Sequence, residues 1–120
     1  MVDSRPKTIF CDIDGTLIYH NGTLTDQVVT TPKILEGVRE KLNEWDRKGY
    51  NIILTTGRRE SLRKVTEEQL TQLGIIYDQM IMGLGGGSRV LINDLKTYSD
   101  KSTAVAINLK RNEGIKNVEV

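Results

Sequence analysis

Asp12 and Asp14 stand two residues apart in the stretch Phe10-Cys11-Asp12-Ile13-Asp14-Gly15-Thr16-Leu17. Carboxylates held that close repel one another and coexist only with a cation or a proton to offset the charge. A hard cation such as Mg2+ would supply that offset and would also screen an incoming phosphate. Thr8, Ile9, Phe10 and Cys11, with Ile13 between the acids, read as a short apolar strand. Gly15 then permits a sharp exit, so both acids fall at the strand's carboxyl end, where open α/β sheets bind their ligands. The plainer reading is an acidic turn shaped by an Asx-type hydrogen bond. Gly-Thr-Leu after the acids, and motifs further along, favour the chemical one.

The stretch resembles the first motif of the haloacid dehalogenase-like (HAD) superfamily, Asp-x-Asp-Gly-Thr. That resemblance implies that Asp12 is the nucleophile that takes up a phosphoryl group. It implies that Asp14 is the general acid for the leaving oxygen and later the base that activates water. Leu54-Thr55-Thr56-Gly57-Arg58 resembles the second motif, a strand whose final Thr or Ser hydrogen-bonds phosphate. Thr56, directly before Gly57, is preferred to Thr55, and amides from Gly57 onward would add to the phosphate contacts. Arg58 and Arg59 read either as solvated loop charges or as contacts to a second anionic group on a substrate.

Val90-Leu91-Ile92-Asn93-Asp94 resembles the fourth motif, an apolar strand that delivers an acid to the metal. The implied Mg2+ ligands are the carboxylates of Asp12 and Asp94 and the main-chain carbonyl of Asp14. Many relatives carry a second acid where this chain has Asn93. Asp94 could instead serve as a helix N-cap. The third motif matches least well. Compact relatives have Gly-Lys-Pro where this chain has Gly83-Leu84-Gly85, without a cation. Arg89 and Lys96 are the substitutes for holding the phosphate, with Arg89 preferred because a guanidinium grips it bidentately.

The elements that must position these residues follow from periodicity. Residues 18–31 read as a polar, hairpin-like flap with a turn at Asn21-Gly22. Thr31-Pro32 opens a helix with Thr31 as N-cap. Ile34, Leu35, Val38, Leu42 and Trp45 form its apolar face, and Gly49 closes it. Asn51 to Thr56 is a buried strand, and Ser61 to Leu73 a second helix with Leu62, Val65, Leu70 and Leu73 inward and Gly74 as its stop. Further strands are expected over Tyr77 to Met82, Arg89 to Asn93 and Thr103 to Leu109. The alternation predicts an α/β fold, a Rossmann-like three-layer sandwich with a central, mainly parallel sheet and no separate cap domain. One link strains it: Gly83 to Ser88 gives six residues, whereas a parallel crossover normally needs a dozen or more. The third strand is therefore either short and splayed at the edge or not a regular parallel strand. Gly85-Gly86-Gly87 lacks the Lys-Ser/Thr of a P-loop and reads as a linker.

Composition sets the bounds. A chain of 120 residues, 38% apolar and 28% charged, suits a single soluble domain, here 1–120. The net charge of +1 gives no electrostatic pull toward nucleic acid or an anionic membrane. The one cysteine, Cys11, rules out an intrachain disulfide and reads as a small buried apolar residue. No run is long and apolar enough for a membrane span or a signal peptide, so the cytoplasm is the expected compartment.

The expected function is that of a compact, capless HAD phosphatase, a Mg2+-dependent phosphomonoester hydrolase working through an aspartyl-phosphate. An open site and a near-neutral chain point to a small-molecule phosphate ester such as a sugar phosphate, with a homo-oligomer covering the site and nucleic acid an improbable partner. The run Thr56-Gly57-Arg58-Arg59-Glu60-Ser61 also resembles the polynucleotide phosphatase branch. The same motifs would also suit a protein phosphatase or a non-catalytic HAD-like binding or regulatory domain.

Overall fold

In the computed structural model, which describes residues 5–20, 22, 23, 27, 31–95 and 103–120, strands β1 (Thr8–Asp12), β2 (Asn51–Thr55) and β3 (Gln79–Ile81) form one parallel sheet in that order. Helix α1 (Val38–Arg47) connects β1 to β2. A 3-10 turn (Glu60–Leu62) runs into helix α2 (Arg63–Gln72), which connects β2 to β3. This is the α/β, Rossmann-like architecture that the alternation of elements predicts.

β2 is central, and Ile52, Ile53 and Leu54 are 1%, 6% and 0% exposed, as befits a strand covered on both faces. α1 buries Val38, Leu42 and Trp45 against the sheet, with Ile34 and Leu35 packed beside them. Each buried side chain of this size contributes about 1.5–3 kcal/mol. Both helices end as their glycines predict. Gly49 N–H donates to Asp46 O and Tyr50 N–H to Trp45 O, while Gly74 and Ile75 repeat the pattern on Thr71 and Leu70. These are Schellman endings, which need the left-handed backbone seen at both glycines, φ 77° and 68°. Asp78 ties the start of β3 to β2, its carboxylate and its N–H both bonded to the backbone of Ile52.

Several expectations are corrected. The helix expected from Pro32 begins at Val38, because the backbone before it is committed elsewhere. Tyr19 N–H donates to Lys33 O, Leu35 N–H donates to Leu17 O, and Ile18 and Ile34 form an antiparallel bridge. This pairing closes the base of the flap; Asn21 of the expected turn and most of residues 24–30 lie outside the described residues. The inward face of α2 carries Thr66, Gln69 and Leu70, whereas Leu62 and Val65 are only half-buried. The third strand is regular and parallel, although short.

The expected strands at 89–93 and 103–109 do not form. Val90, Leu91 and Ile92 are 80%, 61% and 90% exposed. The reason lies in the short link: Gly83 N–H donates to Arg58 O and Leu84 N–H to Thr56 O. The chain is thereby held at the carboxyl end of the sheet, the wrong end for a further parallel strand to start. It rejoins the core at Ile115, which is 2% exposed. Among the described residues no helix is long and apolar enough to cross a membrane.

Candidate active site

Asp12 is the last residue of β1, in register with Thr55 of β2. After Ile13 the chain turns tightly at Gly15 (φ 88°), where Leu17 N–H and Ile18 N–H both donate to Ile13 O. The turn brings Thr16 back so that its hydroxyl donates to Asp12 Oδ2 at 3.3 Å. One rim of Asp12 is open to solvent, but protein groups crowd the remainder. This burial raises its carboxyl above the ordinary aspartate range; the Asp14 charge adds to the effect, while the Ile13 backbone, Thr16 and Arg89 oppose it.

Asp14 has the opposite environment. Arg58, at 0% exposure, grips it as a fork: Nε donates to Oδ2 at 2.8 Å and Nη2 to Oδ1 at 2.7 Å. The remaining guanidinium nitrogen, Nη1, donates to Thr66 Oγ1 at 3.0 Å and to Gln69 Oε1 at 2.7 Å. A third donor reaches Asp14 from the flap, Gln27 Nε2 to Oδ1 at 2.7 Å. A buried guanidinium is tolerated only when its charge is paired and its N–H groups are satisfied. That requirement explains the polar residues on the inner face of α2. Arg58 is therefore neither a solvated loop charge nor a free contact for substrate. Thr66 and Gln69, interrupting an otherwise apolar helical stripe, were the signal in the sequence; Arg59 is the exposed member of the pair.

Thr56 is 1% exposed and follows the residue paired with Asp12. Its Oγ1 accepts from Arg58 N–H at 3.0 Å, which leaves its own hydrogen for another acceptor. Gly57 lies under the glycine run: a Cβ there would sit 3.1 Å from Gly85 O, so any side chain would push the two loops apart. Arg89 folds over that run, its Nη1 donating to the carbonyls of Gly87 (2.8 Å) and Gly85 (3.2 Å), and its charge acts on Asp12. Lys96 lies outside the described residues. Asp94 is on the exposed segment after Arg89, its carbonyl accepting from Thr103 Oγ1.

The family model of the polynucleotide kinase PNKP phosphatase domain matches residues 6–89 of the 120. The chain belongs to this family. It is thus a HAD-superfamily phosphatase domain, as the first and second motifs imply. This PNKP-type domain is also similar to a chain of the Pnkp1/Rnl/Hen1 complex, with 31% identity, a TM-score of 0.58, and 71% of this chain and 30% of that chain covered. For a chain of the Pnkp1/Rnl/Hen1 RNA repair complex the values are 30% identity, TM-score 0.56, and 81% and 29% coverage. The domain therefore spans less than a third of either chain. A Vibrio cholerae protein of known crystal structure shares the fold at 22% identity and TM-score 0.53, with 72% and 79% covered. None of the curated proteins matches the chain. The expectation that nucleic acid is an improbable partner gains no support from relatives that belong to an RNA repair complex.

The PNKP-type match stops at Arg89, before Asp94. The structure agrees with that boundary in one respect: among the described residues no group of three His, Cys, Asp or Glu side chains is gathered for a metal. Asp12 and Asp14 are brought together; Asp94 does not join them. The donor set at the end of β1 still fits a hard cation, because Asp14 already has a guanidinium whereas Asp12, crowded and beside another acid, carries a charge that a cation would offset.

Two further residues of the domain were not singled out by the sequence. Asn112 (φ 65°) straps the carboxyl-terminal segment to the first motif: its N–H donates to Gly15 O, its Oδ1 accepts from His20 N–H, and its Nδ2 donates to His20 O. Arg111 packs over the same glycine. Neither has a local sequence signal, since the contact spans about 90 residues of chain, as the His20–Asn112 separation of 92 shows. Cys11 is buried and its thiol is pushed up to about 12, chiefly by desolvation, which makes it inert as a nucleophile.

Proposed function

We propose that this domain hydrolyses phosphomonoesters in two steps, with Asp12 as the nucleophile, an aspartyl-phosphate intermediate and Mg2+ as cofactor, and that residues 1–120 act as one catalytic domain with 18–31 as its flap. The observation that carries the reading is the contrast between the two acids. Asp14 is clamped by a buried Arg58, whereas Asp12 beside it accepts only from neutral groups, the Ile13 backbone and the Thr16 hydroxyl among the described residues, and keeps an open rim. One is oriented for proton exchange and the other is presented for attack.

In the first step an Asp12 carboxylate oxygen attacks phosphorus, the bond from phosphorus to the ester oxygen breaks, and Asp14 gives its proton to the departing oxygen. In the second, Asp14 takes a proton from water, the water oxygen attacks phosphorus, and Asp12 and inorganic phosphate are released. Asp14 Oδ2, with one donor among the described residues where Oδ1 has two, has the spare lone pair for that proton. Thr56, the Gly57 amide and Arg89 hold the non-reacting phosphate oxygens, with Lys96 as the second candidate cation. The Asp12 carboxylate and the Asp14 main-chain carbonyl, with Asp94 if its segment reaches the site, would hold Mg2+, which would supply positive charge against the acids and the phosphate.

The substrate class we propose is the phosphorylated end of a polynucleotide. Family membership and the similarity to chains of an RNA repair complex support it. A small phosphorylated metabolite is the second reading, favoured by a net charge of +1, which gives little pull on a polyanion. The test is Mg2+-dependent release of phosphate from p-nitrophenyl phosphate by the native chain and by Asp12→Asn. Loss in the variant alone supports the enzyme; equal rates, or no release by either from a broad ester panel, leave the non-catalytic binding domain. Oligonucleotides phosphorylated at either end, compared with sugar phosphates by kcat/KM, then decide the substrate.

A further inference from the structure

We propose that Gln27 is a positioning residue for the acid–base carboxylate, joining the flap to the Arg58–Asp14 pair and fixing which Asp14 oxygen faces the leaving group. The inference rests on the phosphatase reading above. Gln27 belongs to a segment whose composition reads as a polar surface flap, yet it is only 4% exposed. Its Nε2 donates to Asp14 Oδ1 at 2.7 Å and to Tyr19 O at 3.1 Å, which uses both amide hydrogens. Its main-chain carbonyl accepts from Gln69 Nε2 at 3.0 Å, and Gln69 Oε1 in turn accepts from Arg58 Nη1 at 2.7 Å.

These bonds close a ring from Asp14 through Gln27, Gln69 and Arg58 back to Asp14. It joins the first motif, the flap, α2 and the second motif. A buried amide left without partners is costly, and each of the two glutamines meets that demand inside the ring. Their effect on Asp14 is directional. The Arg58 fork gives each oxygen one donor and does not distinguish them. Gln27 adds a second donor to Oδ1, and among the described residues Oδ2 remains the oxygen with room for the ester oxygen.

Loss of Gln27 should therefore harm both proton exchanges of Asp14, of which only the one with the leaving group differs between esters. An alkyl phosphate needs that proton; p-nitrophenolate departs without it. Gln27→Met keeps the length and bulk of the side chain and removes the amide. With saturating Mg2+, kcat/KM, which reads only the steps up to departure of the leaving group, is expected to fall about 10–100-fold for 2-glycerophosphate and to stay within about threefold for p-nitrophenyl phosphate. Gln69→Met should shift the same ratio less, and Gln72→Met, on the exposed face of α2, should not shift it. Should Gln27→Met fail to fold on thermal melting, Gln27→Asn, one methylene short of Asp14, carries the same expectation. Proportionate loss on both esters, or no loss on either in a folded variant, overturns the proposal while the native rates still uphold the phosphatase. A folded native chain inert on both esters and on phosphorylated oligonucleotides overturns that reading, and this one with it.

Discussion

Residues 52–54 and residues 90–92 are both runs of three branched apolar side chains that precede a polar residue of a HAD motif, and the structure treats them in opposite ways. In β2 the three are 1%, 6% and 0% exposed; in the later run they are 80%, 61% and 90% exposed. Composition does not separate them. The approach does. β2 is reached through ten residues of helix and a Schellman stop that return the chain to the amino end of the sheet. The later run leaves a six-residue link whose start is bonded to Thr56 and Arg58 at the carboxyl end. The consequence for function is that Thr56 and Arg58 are fixed by a covered strand, while Asp94 has no ladder to place it.

That contrast can be broken or sharpened by substitution. The largest effect is expected at the carboxyl end of β1, where Asp12→Asn should lower kcat about a thousandfold or more. The same variant should not lose stability. Because burial raises the Asp12 carboxyl in the folded state, the folded protein binds that proton more tightly than the unfolded chain does. Stability is therefore lost as pH rises from the ordinary aspartate range through the raised folded value. Asp12→Asn removes it, so the melting temperature at pH 7 should match or exceed that of the native protein, with the difference shrinking toward pH 3. A clear fall at pH 7 would show that the Asp12 charge is paired more strongly than the geometry indicates.

Next in size is Arg58→Ala, which leaves Asp14 buried without its cation and should cost about 3–5 kcal/mol in urea unfolding. Arg58→Lys should recover little of this, since an ammonium lacks the planar fork. The two apolar runs can be compared directly: Ile52→Ala should cost about 2–5 kcal/mol and Ile92→Ala less than about 0.5. A large cost at Ile92 would mean that the later run is covered in solution, by this chain or by a second copy. Smallest in stability is Asp94→Asn, within about 0.5 kcal/mol of native. If Asp94 reaches the metal, the Mg2+ concentration for half-maximal rate should nonetheless rise about tenfold or more.

Much of the fold was legible because it is local. The glycines at 49 and 74 stop both helices as read, and the burial of Val38, Leu42 and Trp45 follows from helical spacing. The errors came from longer range. Thr31-Pro32 is a sound helix start by itself, but Leu17, Ile18 and Tyr19 take the backbone of residues 33–35 first. Val65 fits the apolar stripe of α2, yet Thr66 and Gln69 face inward because Arg58 needs acceptors there. The strands expected at 89–93 and 103–109 have sound local signals and no edge within reach.

The sequence alone determined that two carboxylates, a threonine at the next strand's end and a tight glycine turn would lie at one end of a parallel sheet, since the spacing of residues within a strand and its turn is set by the geometry of the chain. Tertiary structure decided which charge would answer which. Asp14 takes Arg58 across 44 residues and Gln27 across 13. Such partnerships depend on how the crossovers return the chain, and on the rule that a buried charge must find its counterpart, neither of which any short stretch of sequence contains.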